Sequence, residues 1–217
     1  MSQALEIRNL LEPVEVHSEG NRLVATGYAA RYDALSQNLG GFVERVAPTA
    51  FRKTLKQTDV RALFNHKPDF LLGTSSAGTL RLSNESDGLA YEIDLPDTTV
   101  GRDVAVLLER GDITGSSFGF RTIADSWEKS GDGFPVRTLK EVALRDVGPV
   151  TFPAYPDASS ALRSLAEARS LDFNQVAAAA AEDKLSDVLW TPDAGDESRD
   201  EEDRATPIRI VRSTLIF

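Results

Sequence analysis

The stretch GDITGSSFGF, residues 111–120, decides between two classes of fold for this chain. Residues 115–119 match G-x-S-x-G, the pattern of the nucleophile elbow of α/β-hydrolases. That fold requires the order serine, acid, histidine along the chain. The chain has 2 histidines, His17 and His66, and both precede the serines. The match is therefore accidental. A chymotrypsin-like order is disfavoured as well, because the paired glycines of that oxyanion hole do not follow the serines.

The segments around the serines indicate antiparallel strands rather than repeated βαβ units. Residues 78–96 are predicted to form two alternating strands joined by a turn. Residues 97–112 predict a helix that ends at a glycine. Further strands are predicted within 136–156, and strong helix formers occupy 157–170 and 176–190. The sequence therefore predicts a mainly β body followed by a helical part.

The composition is that of an ordinary globular protein, with 217 residues, 41% hydrophobic and 27% charged. The absence of cysteine excludes disulfides and thiolate metal sites and favours a reducing cytosol. No apolar run approaches the roughly 20 residues that span a bilayer. The N-terminus also lacks the pattern of a secretion signal. We therefore expect no membrane partner, and no cluster has metal-ligand spacing.

The net charge of −10 is unevenly distributed along the chain. Residues 193–204, DAGDESRDEEDR, hold seven acidic and two basic residues and so contribute −5. No basic patch suggests nucleic-acid binding. We predict that residues 191–206 are exposed and flexible, and that the apolar residues 207–217 form a tail with strand character.

Serine chemistry needs a base, because a serine hydroxyl is a weak nucleophile until a neighbour takes its proton. Histidine is the usual base, and His66 ends an apolar, strand-like segment whereas His17 lies in a polar stretch. An acid could come from residues 140–148, KEVALRDVG, which contain Glu141 and Asp146. These two point to opposite faces of a regular strand, so only one can face the histidine unless a bulge intervenes.

Five blocks of the sequence together resemble the prohead maturation proteases of tailed bacteriophages. They are GYAARYDALSQNLGGFVERVAPTAF (27–51), LFNHKPDFLLGTSSAGTLRL (63–82), DGLAYEIDLPDT (87–98), RGDITGSSFGF (110–120) and EVALRDVGPVTFPAYP (141–156). The resemblance covers roughly residues 5–165, in matching order and at matching spacing. That family is similar in fold to the herpesvirus assemblin proteases. The resemblance therefore implies a closed, mainly antiparallel β-barrel with flanking helices.

The resemblance also implies site residues. The family motif of Gly, any residue, Ser, Phe, Gly, Phe makes Ser117 the nucleophile, and the base falls on His66. The third member falls most naturally on Glu141, with Asp146 as the alternative. One departure is Lys67, which stands where an aspartate commonly follows the histidine. Its positive charge should disfavour the protonated form of the imidazole.

The function implied by the resemblance is a serine endopeptidase of phage capsid maturation. It would be made in the host cytoplasm, packaged in the immature procapsid, and cleave capsid or scaffold segments and then itself. A homodimer is a further expectation, and no cofactor, metal, nucleic acid or membrane is implied. The alternative is a non-catalytic capsid-assembly or scaffolding protein on the same fold.

We divide the chain into a protease β-barrel domain at residues 1–165, a helical segment at 166–190, and an acidic linker with an apolar tail at 191–217. Self-cleavage is expected between about Trp190 and Pro207, where proteolysis of an exposed segment would be easiest.

Overall fold

The computed structural model describes residues 4–152 and 158–190 of the chain. The described residues form ten strands: β1 (Glu6–Leu10), β2 (Glu15–Glu19), β3 (Arg22–Arg31), β4 (Val43–Val46), β5 (Arg61–Leu63), β6 (Leu71–Thr74), β7 (Leu80–Asn84), β8 (Gly88–Asp94), β9 (Gly115–Lys129) and β10 (Pro135–Val150). The helices are α1 (Thr54–Gln57), α2 (Thr99–Glu109), α3 (Ala158–Arg169), α4 (Phe173–Ala181) and α5 (Leu185–Leu189), and a short 3₁₀ turn spans Phe64–His66.

The strands form two sheets. One has six strands in the order β1-β9-β10-β5-β6, with β4 also paired to β10, and the other has four in the order β2-β3-β8-β7. Most pairs are antiparallel, but β4 and β5 run parallel to β10. The prediction of a mainly β fold with flanking helices is confirmed. The predicted closure into a barrel is not confirmed. Among the described residues, one isolated bridge, Tyr32 to Val46, is the strand pairing between the two sheets.

The longest element of the fold is the β9–β10 hairpin, of 15 and 16 residues. Ser, Gly and Asp fill its tight turn, as expected from their turn chemistry, and Gly133 adopts a left-handed φ of 83° there. The inner face buries Phe118, Phe120 and Leu144 between the two sheets. Register shifts lie on both sides of Glu141 and just before Asp146, so β10 is irregular at these points.

The described residues pack into two apolar cores. The larger lies between the sheets and includes residues of α2, a helix whose N-cap is Thr98, with the Thr98 hydroxyl accepting from Gly101 N at 3.2 Å. The smaller is formed by α3, α4 and α5 packed on Leu39 and Phe42. The predicted boundary after residue 165 falls inside α3, whose buried residues include both Leu165 and Ala166. The division into domains stays a prediction.

No helix in residues 4–152 and 158–190 is long and apolar enough to cross a membrane. The predicted acidic linker and apolar tail lie outside the described residues.

Candidate active site

The two adjacent serines of β9 face opposite sides of the sheet, because side chains alternate along a strand. Ser116 Oγ lies 2.6 Å from the hydroxyl of Tyr91, a buried residue of the core between the sheets. Ser117 Oγ lies 2.6 Å from Nε2 of His66. The structure therefore separates the pair: Ser116 contacts the core, and Ser117 contacts the histidine.

His66 lies in the 3₁₀ turn that follows β5, and β5 is the direct neighbour of β10 in the sheet. Its ring is largely covered, with 17% of the side chain exposed. While Nε2 contacts Ser117, the other ring nitrogen, Nδ1, forms a hydrogen bond with Oδ1 of Asp146. The imidazole thus lies between a hydroxyl and a carboxylate.

Asp146 lies on β10 opposite Gly119 of β9, and 11% of its side chain is exposed. A Cβ atom at residue 119 would come within 2.7 Å of Asp146 Oδ2. Glycine at this position therefore makes room for the carboxylate, which gives the second glycine of the GSSFGF motif a physical reason. Ser117, two residues earlier on β9, lies diagonally across from the same carboxylate.

Glu141, the preferred third member, lies elsewhere. Its Oε2 accepts a hydrogen bond from Lys53 Nζ at 2.7 Å, and its neighbour on β9 is Ala124. Five residues along a strand correspond to roughly 16 Å, so a histidine in contact with Asp146 cannot also contact Glu141. The geometry corrects the preference for Glu141, because the alternative acid, Asp146, contacts His66.

A buried group of charges lies beside the site and was missed by sequence reasoning. Arg8 connects the two, because its carbonyl oxygen accepts a hydrogen bond from Ser117 Oγ at 2.8 Å. The Arg8 guanidinium donates to Glu44 at 2.8 Å and to Glu6 at 2.7 Å. Arg137 donates to the same two carboxylates, at 2.8 Å to Glu6 and at 3.0 Å to Glu44. The signal in the sequence was the alternation of Glu6 and Arg8 on a short N-terminal strand.

Each charge in this group stabilises the ionised state of its partners. Burial disfavours ionisation of Glu6, but the positive charges of Arg137 and Arg8 outweigh it and lower the pKa of Glu6 to about 2. Burial likewise acts to lower the pKa of Arg137, and Glu44 and Glu6 raise it above its ordinary value. Every buried polar side-chain atom in the described part of the chain has a hydrogen-bond partner.

A histidine held between a serine hydroxyl and a carboxylate is the arrangement of serine hydrolases, whatever the fold. The model of the caudovirus prohead serine protease family matches residues 11–171. The chain therefore belongs to the caudovirus prohead serine protease family. It is a serine protease of prohead maturation, which confirms the class of function implied by the sequence blocks.

Among solved structures, the chain is similar to the capsid assembly protease of bacteriophage T4. The two share 13% sequence identity with a TM-score of 0.49, over 69% of this chain and 98% of that chain. No curated protein matches the chain in sequence.

Proposed function

We propose that the chain is an endopeptidase that cleaves capsid or scaffold segments inside the prohead, with Ser117 as nucleophile, His66 as general base and Asp146 as the orienting acid. The observation that carries the proposal is the position of the His66 ring. Its Nε2 lies 2.6 Å from Ser117 Oγ while its Nδ1 contacts Asp146. Family membership supports the reaction class, and these contacts support the assignment of roles.

The proposed proton transfers follow from this arrangement. A neutral His66 that donates its Nδ1 proton to Asp146 leaves Nε2 free to accept the proton of Ser117. As Oγ bonds to the substrate carbonyl carbon, that proton moves to Nε2, and Asp146 stabilises the imidazolium. The imidazolium then protonates the leaving amine as the C–N bond breaks. Water, activated by the same histidine, hydrolyses the acyl-enzyme and restores Ser117.

The nucleophile needs an opening step before it reacts. Ser117 has no exposed surface, and its hydroxyl lies 2.8 Å from the Arg8 carbonyl oxygen as well as near His66. One hydroxyl proton serves one acceptor at a time, so the Arg8 carbonyl competes with the imidazole. A substrate carbonyl reaches Oγ only after the atoms that cover it move.

We assign substrate entry to the open cleft on the outer side of His66. Apolar and neutral polar side chains line it together with one lysine. They are Ile7, Asn9, Asn65, His66, Lys67, Val150, Thr151 and Phe152. Phe152, with 77% of its surface exposed, offers a substrate side chain an apolar contact beside the histidine.

Paired serine variants test the proposal. Ser117→Ala should lower kcat for cleavage of the co-expressed capsid protein by a factor on the order of 10⁶, as for other triad nucleophiles. Ser116→Ala should stay active, although it leaves the buried Tyr91 hydroxyl without its partner and so costs about 1–3 kcal/mol of unfolding free energy. If Ser116→Ala were inactive and Ser117→Ala active, the nucleophile would be the other serine.

A serine-reactive fluorophosphonate separates an enzyme from a scaffolding protein on the same fold. The wild-type protein should be labelled on Ser117, and Ser117→Ala should not be labelled. A folded wild-type protein that neither reacts with the probe nor cleaves capsid protein would favour the scaffolding role.

Self-cleavage between Trp190 and Pro207 is the second part of the proposal, and it concerns residues outside the described part of the chain. Its support is the composition of residues 193–204, with seven acidic residues, two basic ones and few apolar side chains to bury. Mass spectrometry of wild-type protein and Ser117→Ala after long incubation tests it. A segment that stays whole in active wild-type protein, or is lost equally from the variant, contradicts it.

The expected homodimer also stays a proposal. Sedimentation velocity of the purified protein over a range of concentrations distinguishes a dimer from a monomer.

A further inference from the structure

The backbone that carries His66 is held in an unusual conformation. Asn65 and His66 are both left-handed, with φ of 54° and 56°. Asparagine tolerates this region better than most residues, but two successive non-glycine residues in it are uncommon. Such a conformation persists only where the surrounding contacts determine it.

The Asn65 side chain supplies two of these contacts, both to Thr151. Its Oδ1 accepts from Thr151 N at 2.8 Å, and its Nδ2 donates to Thr151 Oγ1 at 2.9 Å. Thr151 directly follows β10, the strand that carries Asp146. We call this pair of hydrogen bonds the Asn65–Thr151 clamp. It ties the turn before the histidine to the strand of the orienting acid.

The turn is also seated closely on β10 by backbone contacts. Gly148 has a φ of 153°, and a Cβ there would lie 2.3 Å from the Leu63 carbonyl oxygen. Phe64 N donates to Phe70 O at 3.0 Å, and Lys67 N donates to Phe64 O at 3.2 Å. These bonds close the turn on itself, and the clamp adds a side-chain link from the turn to Thr151, next to the His66–Asp146 contact.

We propose that Asn65 is a positioning residue, whose clamp on Thr151 fixes the His66 ring between Ser117 and Asp146. This inference rests on the proposed function of those three residues. Asn65 acts through the histidine and not on the substrate. Because a displacement of about 1 Å in a catalytic group can cost 10²-fold in rate, release of the clamp slows the enzyme without removing any reacting atom.

Three variants distinguish the effect of the clamp hydrogen bonds from the effect of the backbone conformation. Asn65→Gly removes both hydrogen bonds but allows the left-handed conformation at no steric cost. Thr151→Val removes the hydroxyl and keeps the backbone N–H, and Thr151→Ser keeps both. The measured quantity is the second-order rate of fluorophosphonate labelling of Ser117 across pH, with the unfolding midpoint measured on the same samples.

The expected results follow from the geometry. Asn65→Gly should slow labelling by a factor on the order of 10², Thr151→Val should slow it less, and Thr151→Ser should retain the wild-type rate. Both substitutions break the same clamp. The double variant should therefore be labelled no more slowly than Asn65→Gly alone. A purely structural role would lower the unfolding midpoint and leave the labelling rate of folded protein unchanged.

Two outcomes overturn the inference: a wild-type labelling rate in Asn65→Gly, or fully additive effects in the double variant. Either result leaves the proposed function standing, provided that Ser117→Ala remains unlabelled. If Ser117→Ala were labelled like the wild type, the proposed function itself would fail, and the inference with it.

Discussion

The two ends of the β9–β10 hairpin both carry charged side chains, and they use them differently. Toward the turn, Arg137 has no exposed surface and is hydrogen-bonded to Glu6 and Glu44. Toward the open end, the side chains of His66 and Asp146 keep 17% and 11% of their surface exposed. In the first group, Glu6, Arg8, Glu44 and Arg137 pair their charges with one another, and we call it the closed group. In the second, Asp146, His66 and Ser117 form a row that ends at the serine hydroxyl, and we call it the open row.

The difference lies in which protons can move. Arginine keeps its proton at any ordinary pH, so the buried group holds fixed charges and serves the fold. A histidine ring nitrogen can accept a proton and release it again, so the row formed by Asp146, His66 and Ser117 is suited to acid–base chemistry. Arg8 belongs to both, since its guanidinium contacts Glu6 and Glu44 while its carbonyl accepts from Ser117.

In the row formed by Asp146, His66 and Ser117, the largest effect after that of Ser117→Ala should come from removing the charge of Asp146. Asp146→Asn should lower kcat by about 10⁴, because an amide cannot stabilise the imidazolium and favours the wrong tautomer. Glu141→Gln is the matched control and should retain wild-type kcat, since Glu141 contacts Lys53 and not His66. Steady-state cleavage of capsid protein measures both. A greater loss at Glu141 would return the role of the acid to that residue.

Breaking the closed group should instead affect the fold. Arg137→Ala leaves Glu6 and Glu44 buried without one of their cations, and should cost about 3–5 kcal/mol of unfolding free energy. Arg45→Ala removes an arginine that pairs with Glu128 near the surface, and should cost about 1 kcal/mol or less. Urea denaturation measures both values. Equal losses would mean that the buried group contributes no more than a surface pair.

Acid should weaken the closed group within a defined pH range. The pKa of Glu6 is lowered from 4.5 to about 2, so its contribution is complete above pH 4.5 and is lost as pH falls toward 2. That shift corresponds to about 3 kcal/mol at neutral pH. Unfolding free energy measured from pH 6 to pH 2 should fall more steeply for wild-type protein than for Glu6→Gln. Parallel curves would contradict the assignment.

The smallest effect is expected at the exposed pair Lys53–Glu141. The Lys53 side chain is 66% exposed, so removing its charge with Lys53→Met should change the unfolding free energy by about 1 kcal/mol or less. The difference should shrink further in 1 M salt, which screens exposed charges. A salt-independent loss larger than that of Arg137→Ala would reverse the comparison between buried and exposed charges.

Part of the candidate site could be predicted from the sequence, but the choice of Asp146 as the carboxylate in contact with His66 could not. The motif selected Ser117, and the scarcity of histidines selected His66. Counting outward from the hairpin turn, where Lys129 pairs with Pro135, places Ser117 opposite Val147 and Asp146 on the other face of the sheet. The register shifts of β10 move the partner of Ser117 to Gly148, and this shift brings Asp146 to the same face of the sheet as Ser117.

The partners of the buried charges and the arrangement of the two sheets could not be predicted from the sequence either. The contact of Arg8 with Glu44 spans 36 residues, and that of Arg137 with Glu6 spans 131. No local pattern encodes such a pairing, because charged residues on short strands usually face solvent. Closure of a barrel depends on strand tilt and stagger across the entire sheet, which a pattern of alternation does not determine.

The hairpin also sets the order in which the protein can assemble. Ser117 and Asp146 lie on its two arms, which need only a tight turn to meet. The His66 contacts with Ser117 and Asp146 span 51 and 80 residues, and contacts across long stretches of chain form slowly because loop closure costs entropy. In the proposed triad, we therefore expect Asp146 and Ser117 to meet before His66 joins them. We therefore expect a chain whose long-range contacts are incomplete to lack the complete proposed triad.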